Sequence, residues 1–202
     1  MEIYRIEEYR RSRKLVYLDE GAPAFCLYAK EIKSFGLEEG KELPDETYEE
    51  ILDVLRKRAA ERCLYLLTDM ARTEGQLRKK LKEGYYPDEA VEYALEYCRR
   101  KHYTDDTDYV ERYADSKRSS MSKAMMRLKL RDRGVDDADI DRGLEQAGID
   151  DREALESVIP KKMGKVSGDD PDVKGRQKVV RSLMSAGFRY DDIKDVMGRL
   201  LT

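Results

Sequence analysis

Basic side chains are concentrated in three segments of this chain, and their type and spacing point to chemistry with an anionic partner. Arg72 to Lys82 holds five basic residues and one acid, Arg112 to Arg133 eight and two, and Lys174 to Arg181 four and none. A helix surface so rich in cations is an electrostatic footprint for a polyanion or an acidic protein. The residues that we expect to form this contact surface are Arg78, Lys79, Lys82, Arg127, Lys129, Arg131, Arg133, Lys178 and Arg181.

Acidic residues follow the first two basic segments. Glu83 to Glu96 has five acids and no base, and Asp136 to Glu145 has five acids and one base. Stacked in register, such segments would form a basic stripe beside an acidic stripe. A simpler interpretation stays open, in which the charges solvate outer faces and the acids stabilise helix N-termini.

The remaining polar residues do not indicate catalysis or metal binding. His102 is the one histidine and lies in a predicted loop, without the partners that general acid–base chemistry needs. Asp105 and Asp106 are typical of a helix N-cap. No CxxC spacing suggests a zinc site, and no glycine-rich phosphate loop is present. We therefore expect no enzyme, no metal and no cofactor.

The helices that would position the basic residues follow from an apolar pattern that occurs three times. Each copy has two pairs of apolar residues, each pair four residues apart, on either side of a lone apolar residue. A pair four residues apart lies on one face of a helix, so each copy predicts helix, turn and helix. The copies are Leu77, Leu81, Tyr86, Val91 and Leu95; then Met126, Leu130, Val135, Ile140 and Leu144; then Val179, Leu183, Phe188, Ile193 and Met197.

The spacing between the copies, 49 and then 53 residues, is typical of an array of small helical units. With one further helix before each copy, the sequence predicts a mainly α fold. It would be an elongated array of three tandem three-helix repeats, preceded by a small α/β N-terminal unit. The predicted domains are an N-terminal extension at residues 1–45 and helical repeats at residues 46–103, 104–149 and 150–202. Leu77, Leu81, Leu130 and Leu183 are assigned to the core.

Before residue 45, two short apolar runs, Lys14 to Leu18 and Ala24 to Tyr28, flank turn residues and predict a β-hairpin. Lys30 to Phe35 predicts a short helix that ends at Gly36 in a left-handed cap.

Capping signals divide the helical part of the chain. Thr73 with Gln76 forms the pattern of a capping box, and Ser122 is the equivalent cap in the second repeat. In the third repeat we expect Pro160 to break the first helix, and Lys161 to Pro171 to be mobile.

Composition limits the setting in which the protein works. No apolar segment approaches a membrane span, and the charged residues at Met1 to Lys14 do not form a signal peptide. Three cysteines in no disulfide or metal pattern suit a reducing compartment, so we expect a soluble cytoplasmic monomer that does not bind membranes. The formal net charge of −3 counts against a simple nucleic-acid binder.

Four segments resemble the RecX family, the regulatory proteins that bind RecA recombinase. They are Arg72 to Leu81, Tyr103 to Val110, Lys123 to Val135 and Arg176 to Ile193. The family's glycine–aromatic turn before each third helix corresponds here to Tyr85-Tyr86, Gly134-Val135 and Gly187-Phe188. The resemblance covers about residues 46–202, and Tyr85 departs from it by standing where the family usually has glycine.

The resemblance implies a protein of DNA repair, recombination and the SOS response. It would lie in the groove of the RecA–DNA filament, contact single- or double-stranded DNA as part of that filament, and inhibit RecA's recombinase, ATPase and coprotease activities. Two alternatives from other classes stay open, namely a stand-alone DNA-binding module built of three-helix units and a helical protein-interaction adaptor.

Overall fold

The computed structural model describes residues 1–164 and 173–200 and shows a mainly helical protein that begins with a small β-sheet. Strands β1 (Arg5–Glu8), β2 (Arg13–Tyr17) and β3 (Phe25–Tyr28) form an antiparallel sheet in the order β1-β2-β3. The predicted hairpin is present as β2 and β3. Strand β1 was not predicted. It has four residues, of which Ile6 is the one apolar residue, so it shows no alternation of apolar and polar residues.

One face of the sheet packs on helices. Val16, Phe25 and Leu27 are completely buried in a cluster that also contains residues of the following helices. The short helix α1 (Ala29–Ser34) follows β3, and Gly36 has φ = 63°, which confirms the predicted left-handed cap.

Nine longer helices follow in the described part of the chain, and they form three sets of three. In each set, every helix contacts the other two. The mainly α fold is therefore confirmed. The helices are α2 (Asp45–Asp69), α3 (Glu74–Lys82) and α4 (Asp88–Arg100); α5 (Asp106–Lys117), α6 (Lys123–Arg131) and α7 (Asp137–Gln146); and α8 (Asp151–Met163), α9 (Val173–Ser185) and α10 (Tyr190–Leu200).

The repeated apolar positions form the cores of these sets. All of them are buried except Tyr86, which is half-buried. Leu77, Leu81, Leu130 and Leu183 have no exposed surface, as expected of core residues. The spacing of the apolar residues therefore predicted correctly which side of each helix faces the core.

The chain divides into two compact units, the first Met1–Asp105 and the second beginning at Asp106. In the first unit, one hydrophobic cluster joins the sheet to α2, α3 and α4, so the N-terminal residues share their core with the first repeat. The second unit has one cluster for α5–α7 and another for α8–α10. The repeat boundaries given above stay predictions.

The predicted caps are present at the starts of two middle helices. The Thr73 hydroxyl accepts a hydrogen bond from the Gln76 backbone N–H at 3.1 Å, and the Gln76 side chain accepts one from the Thr73 N–H at 3.2 Å. Ser122 accepts the Met125 N–H at 3.1 Å. These bonds satisfy backbone donors that have no partner within the helix.

The expected helix break at Pro160 is wrong. Helix α8 continues through it to Met163, and the Lys162 ammonium donates to the Ser182 hydroxyl of α9 at 2.7 Å. Proline removes one helical hydrogen bond, but Ile159 is buried and Met163 packs against the same cluster, so core contacts hold the last turn. Of the segment expected to be mobile, residues 161–163 are helical, and residues 165–171 lie outside the described residues.

Candidate partner-binding surface

The turn between the second and third helix has the same geometry in every repeat. The residue that begins the turn has a left-handed backbone in each case, and the next residue's N–H donates to the carbonyl of the last core leucine at 3.2–3.3 Å. This is the Schellman arrangement that ends many helices. It sets the direction in which each third helix leaves, and so decides which side chains face each other across the turn. The left-handed residues are Tyr85 (φ 59°), Gly134 (φ 74°) and Gly187 (φ 86°).

Tyr85 is the one side chain among these three positions, and it has a structural role. Its ring meets the ring of Tyr9 edge-on, with centroids 5.2 Å apart. Both rings pack on a small cluster formed by Leu15, Tyr17 and Cys26 on the second face of the sheet. The tyrosine therefore attaches the first repeat's turn to the N-terminal sheet, where a glycine would make no contact.

Across each of the first two turns, a basic residue of the middle helix pairs with an acid of the third helix. Arg78 forms an ion pair with Glu92, with a second bond of 3.0 Å between Nη2 and Oε2. The residues 49 positions further on, Arg127 and Asp141, form the same pair. One repeat therefore reproduces the ion pair of the other.

A second pair recurs in the same way. Lys82 pairs with Asp88, and the equivalent residues Arg131 and Asp137 are 2.6 Å apart between Nε and Oδ1. The Arg131 hydrogen bond lowers the pKa of Asp137, and the carboxylate raises the pKa of the Arg131 guanidinium. Four of the nine predicted contact residues are thus engaged by acids of their own repeat.

Arg133 is engaged differently. Its guanidinium donates to the Tyr109 hydroxyl at 3.0 Å and lies 4.4 Å from the centroid of the Tyr113 ring. Both tyrosines belong to α5, so this cation joins the first helix of the second repeat to the end of the middle helix.

The other four predicted contact residues are exposed, and none has an ion pair with any residue that the structure describes. They occur on every middle helix, in each case on its solvent side. We call them the exposed cations: Lys79 on α3, Lys129 on α6, and Lys178 and Arg181 on α9.

In the third repeat the ion-pair positions hold other residues. Val180 and Lys194 stand where Arg127 and Asp141 would be, and Met184 and Tyr190 replace the second pair. Met184 is 49% exposed and Tyr190 54% exposed. Val180, Met184 and Tyr190, the third-repeat patch, thus present apolar surface on the two helices that carry charge pairs in the other repeats.

The second and third repeats are joined by short polar contacts. The Ser122 hydroxyl donates to the Ala186 carbonyl at 2.6 Å, and the Lys123 backbone N–H donates to the Asp151 carboxylate at 2.6 Å. Burial raises the pKa of Asp151, and the Lys123 hydrogen bond opposes that rise. Because α6 begins at Lys123, these bonds fix the start of the second middle helix against the third repeat.

Within the described residues, no cluster of three His, Cys, Asp or Glu side chains could hold a metal ion. The same residues contain no helix that is long and apolar enough to cross a membrane.

Two family models match the chain. The model described as the first three-helix domain of RecX matches residues 59–98, and the model described as its third three-helix domain matches residues 150–197. The two matches fall on the first and last of the three helical sets.

Curated relatives match over nearly the whole chain. A protein named regulatory protein RecX from Limosilactobacillus reuteri is 32% identical over 200 residues, covering 96% of this chain and 75% of its own. Another of that name from Clostridium botulinum is 29% identical and covers 95% of this chain and 92% of its own. These relatives are named as regulators and not as enzymes.

Solved structures share the fold. A crystal structure of regulatory protein RecX has a TM-score of 0.64 and 29% identity, and covers 96% of this chain and 98% of its own. A RecX structure from Lactobacillus salivarius has a TM-score of 0.65 at 19% identity over 73% of this chain and 97% of its own.

Proposed function

Because this chain belongs to the RecX family of regulatory proteins, we propose that it binds the filament that RecA recombinase forms on DNA and regulates RecA there. The proposed site is the set of exposed cations on the three middle helices, together with the third-repeat patch. One observation carries this proposal. Every middle helix has an exposed cation without an ion pair to a described residue, whereas four other cations of the first two repeats are paired with acids.

Repetition itself favours a repeating partner. Once one repeat is bound, each further contact forms at high effective concentration, so several weak contacts give a stable complex. A filament offers the same surface at each subunit, and a single globular protein does not. The exposed cations supply attraction to acidic protein surface or to phosphate, so binding should weaken with salt.

The third-repeat patch favours a protein partner over DNA alone. Met184 and Tyr190 are exposed on the helices α9 and α10, and Arg181 is exposed on α9. Methionine, tyrosine and arginine are residue types that are enriched at protein interfaces. An exposed methionine would not contribute to binding phosphates, because its side chain is apolar.

The proposed effect is inhibition of RecA's recombinase, ATPase and coprotease activities. A ligand that binds one arrangement of neighbouring subunits better than another shifts the filament toward that arrangement. Contacts to several RecA subunits at once would therefore oppose the rearrangements of neighbouring subunits that accompany each cycle of ATP hydrolysis. DNA would be contacted as part of the filament.

The stand-alone DNA-binding module remains the rival proposal, since three-helix units can place a helix in the major groove. The ion pairs of Arg78, Lys82, Arg127 and Arg131 count against it, because paired cations release fewer counterions from DNA.

The test reverses the exposed cations and leaves the ion pairs intact. In the variant Lys129→Glu/Lys178→Glu/Arg181→Glu, we expect affinity for a RecA filament on single-stranded DNA to fall by about tenfold or more, or at least about 1.4 kcal/mol. The matched control is Lys30→Glu/Lys57→Glu/Lys101→Glu, which makes the same change in net charge at exposed lysines outside the proposed site. Equal losses in both variants would show a general charge effect and contradict the proposed site.

Reversal of Arg127 or Arg131 would be a weaker test. Each faces a carboxylate, so a glutamate there would place like charges together and disturb the repeat as well as any partner contact. Weaker filament binding in such a variant would have two explanations.

A further inference from the structure

The N-terminal unit carries a second basic surface, in which arginines lie against tyrosine rings. It runs from the β1–β2 turn across the end of the sheet and along α2. We call it the arginine–tyrosine track, and none of its members is among the residues assigned to the RecA contact. They are Arg10, Arg11, Arg13, Tyr28, Arg58, Arg62 and Tyr65.

Tyr28 is the centre of the track. It lies opposite Arg13 in the β2–β3 register, and the Arg13 guanidinium donates to its hydroxyl at 3.1 Å. The carbons of two guanidinium groups, those of Arg13 and Arg58, lie 5.1 Å and 4.8 Å from the centroid of its ring. Cations at this distance from an aromatic face are held by the ring's electrostatic field.

The β1–β2 turn extends the track beyond the sheet. Arg10 and Arg11 border an open hollow of about 410 Å³ together with Arg13 and Tyr28. Arg10 also lies 5.3 Å from the centroid of Tyr9. Both turn arginines are exposed, and neither has an acidic partner within residues 1–164 or 173–200.

Helix α2 extends the track on the other side of Tyr28. Arg58, Arg62 and Tyr65 are spaced four and three residues apart, so they lie on one helix face. Arg62 lies 5.2 Å from the centroid of the Tyr65 ring, and Tyr65 is 66% exposed. A tyrosine this exposed buries little apolar surface, so packing does not explain its presence.

Acidic residues do not neutralise the track as they do the middle helices. Glu31 pairs with Arg58 and accepts the Tyr28 N–H at 2.8 Å. The other four arginines have no ion pair with a described residue. Burial raises the pKa of the neighbouring Tyr86, and the positive charges of Arg58, Arg13 and Arg62 oppose that rise.

We propose that the arginine–tyrosine track binds single-stranded nucleic acid. The guanidinium groups would contact phosphates, and the exposed face of Tyr65 would stack on a base, while the Tyr28 ring holds Arg13 and Arg58 in position. Aromatic rings interleaved with cations are the combination that binds unpaired strands with little sequence preference. The site goes beyond the proposed RecA regulation, because it needs no RecA and uses none of the exposed cations.

Stacking is the feature that separates this proposal from general attraction to a polyanion. Bases in a duplex are already stacked and cannot lie on Tyr65, and an acidic peptide has no bases. The full-length protein should therefore prefer a single strand to a duplex of equal length, and a strand with bases to one without them.

The test measures fluorescence anisotropy of a labelled oligodeoxythymidine of about twenty nucleotides, added to the full-length protein without RecA. We expect Arg62→Ala/Tyr65→Ala to weaken binding by about tenfold. The matched control, Tyr93→Ala/Lys101→Ala, changes an exposed tyrosine and an exposed lysine elsewhere in the same unit and should leave affinity within about twofold.

An abasic strand of equal length provides the second readout. We expect it to bind the unaltered protein more weakly than oligodeoxythymidine, and we expect Tyr65→Ala alone to remove that difference. No binding to the single strand, equal binding of duplex or abasic strand, or equal loss in the control variant would overturn the proposal. Each result would leave the RecA proposal standing, because RecA is not in the assay.

Discussion

At the scale of single residues, the left-handed position in the third repeat's turn is constrained both by its backbone angle and by its neighbours. Gly187 has φ = 86°, and a Cβ built there would lie 2.8 Å from the Ser122 hydroxyl oxygen and 3.1 Å from the Ala124 Cβ. Glycine is needed at this position for two reasons, its backbone angle and the close approach of α6. Tyr85 also has a left-handed backbone, with φ = 59°, and the packing of its ring on the sheet offsets the backbone cost.

Gly187→Ala is therefore predicted to destabilise the second unit more than Gly148→Ala does. Gly148 also has a left-handed backbone, φ = 58°, but open space around the position of a Cβ. We expect a loss of about 1 kcal/mol for Gly148→Ala from the backbone alone, and about 3 kcal/mol for Gly187→Ala, where the clash adds to it. Urea denaturation followed by circular dichroism measures both losses. Equal losses would mean that the contact with Ser122 relaxes freely.

The repeated ion pair at Arg131 and Asp137 makes a prediction about pH. The guanidinium holds the pKa of Asp137 below its usual range, so the pair contributes stability above the carboxyl's unfolded-state pKa and loses it as pH falls through the folded-state value. Arg131→Gln should therefore raise the titration midpoint of Asp137, measured from its carboxyl carbon chemical shift. Arg142→Gln removes the neighbouring pair with Asp139 and should leave Asp137 unchanged. A midpoint that stays in place in Arg131→Gln would contradict the assigned cause.

At the scale of elements, the apolar period predicts the helices well because burial is a periodic signal. The helical pairs α3–α4, α6–α7 and α9–α10 each contain the predicted core positions. The signal is weak where an element is short or charged. Strand β1 has one apolar residue, Ile6, which packs against the core of the first unit, and its backbone pairs with β2. Pro160 was expected to end α8 because proline breaks most helices. Core contacts of Ile159 and Met163 hold the last turn instead, and these contacts are not visible in the sequence.

The ion pairs between middle and third helices could have been found in the sequence. Arg78 and Glu92 are 14 residues apart, as are Arg127 and Asp141, and the second pair recurs with a spacing of six. The same comparison identifies the third repeat as the exception. The arginine–tyrosine track has no such signal, because Arg13, Tyr28 and Arg58 come together only when the sheet packs against α2.

The third-repeat patch gives a prediction by grafting. Met184→Arg with Tyr190→Asp would install the pair that Lys82–Asp88 and Arg131–Asp137 form in the other repeats. Net charge stays the same and both positions are exposed, so we expect helical content to be unchanged by circular dichroism. Affinity for the RecA filament should fall by about tenfold, since an apolar contact is replaced by a neutralised charge pair. Unchanged affinity would remove the patch from the proposed interface.

Core positions predict a local effect of mutation. Leu183→Ala should cost about 2–5 kcal/mol, because its side chain is fully buried in the cluster of α8–α10. Hydrogen exchange should then accelerate in the third repeat and in α6, which is joined to it through Ser122. The control Leu128→Ala removes the same atoms from a leucine that is 50% exposed and should change little. Equal acceleration in α2–α4 would contradict the division into separate cores.

At the scale of the whole molecule, the hydrophobic clusters follow the two compact units, and the sequence did not indicate this division. The three helical sets are equivalent in their apolar pattern but not in their contacts. The N-terminal sheet shares one hydrophobic cluster with the first set, and polar contacts join the second set to the third.

The measurement that tests the central claim most directly compares three partners of the labelled full-length protein under the same salt conditions. They are a RecA filament on single-stranded DNA, free RecA, and the same DNA without RecA. We predict the tightest binding to the filament, by at least about tenfold over either component, because only the filament repeats its surface for successive repeats of this chain. Equal affinity for filament and bare DNA would contradict the account and favour the DNA-binding module.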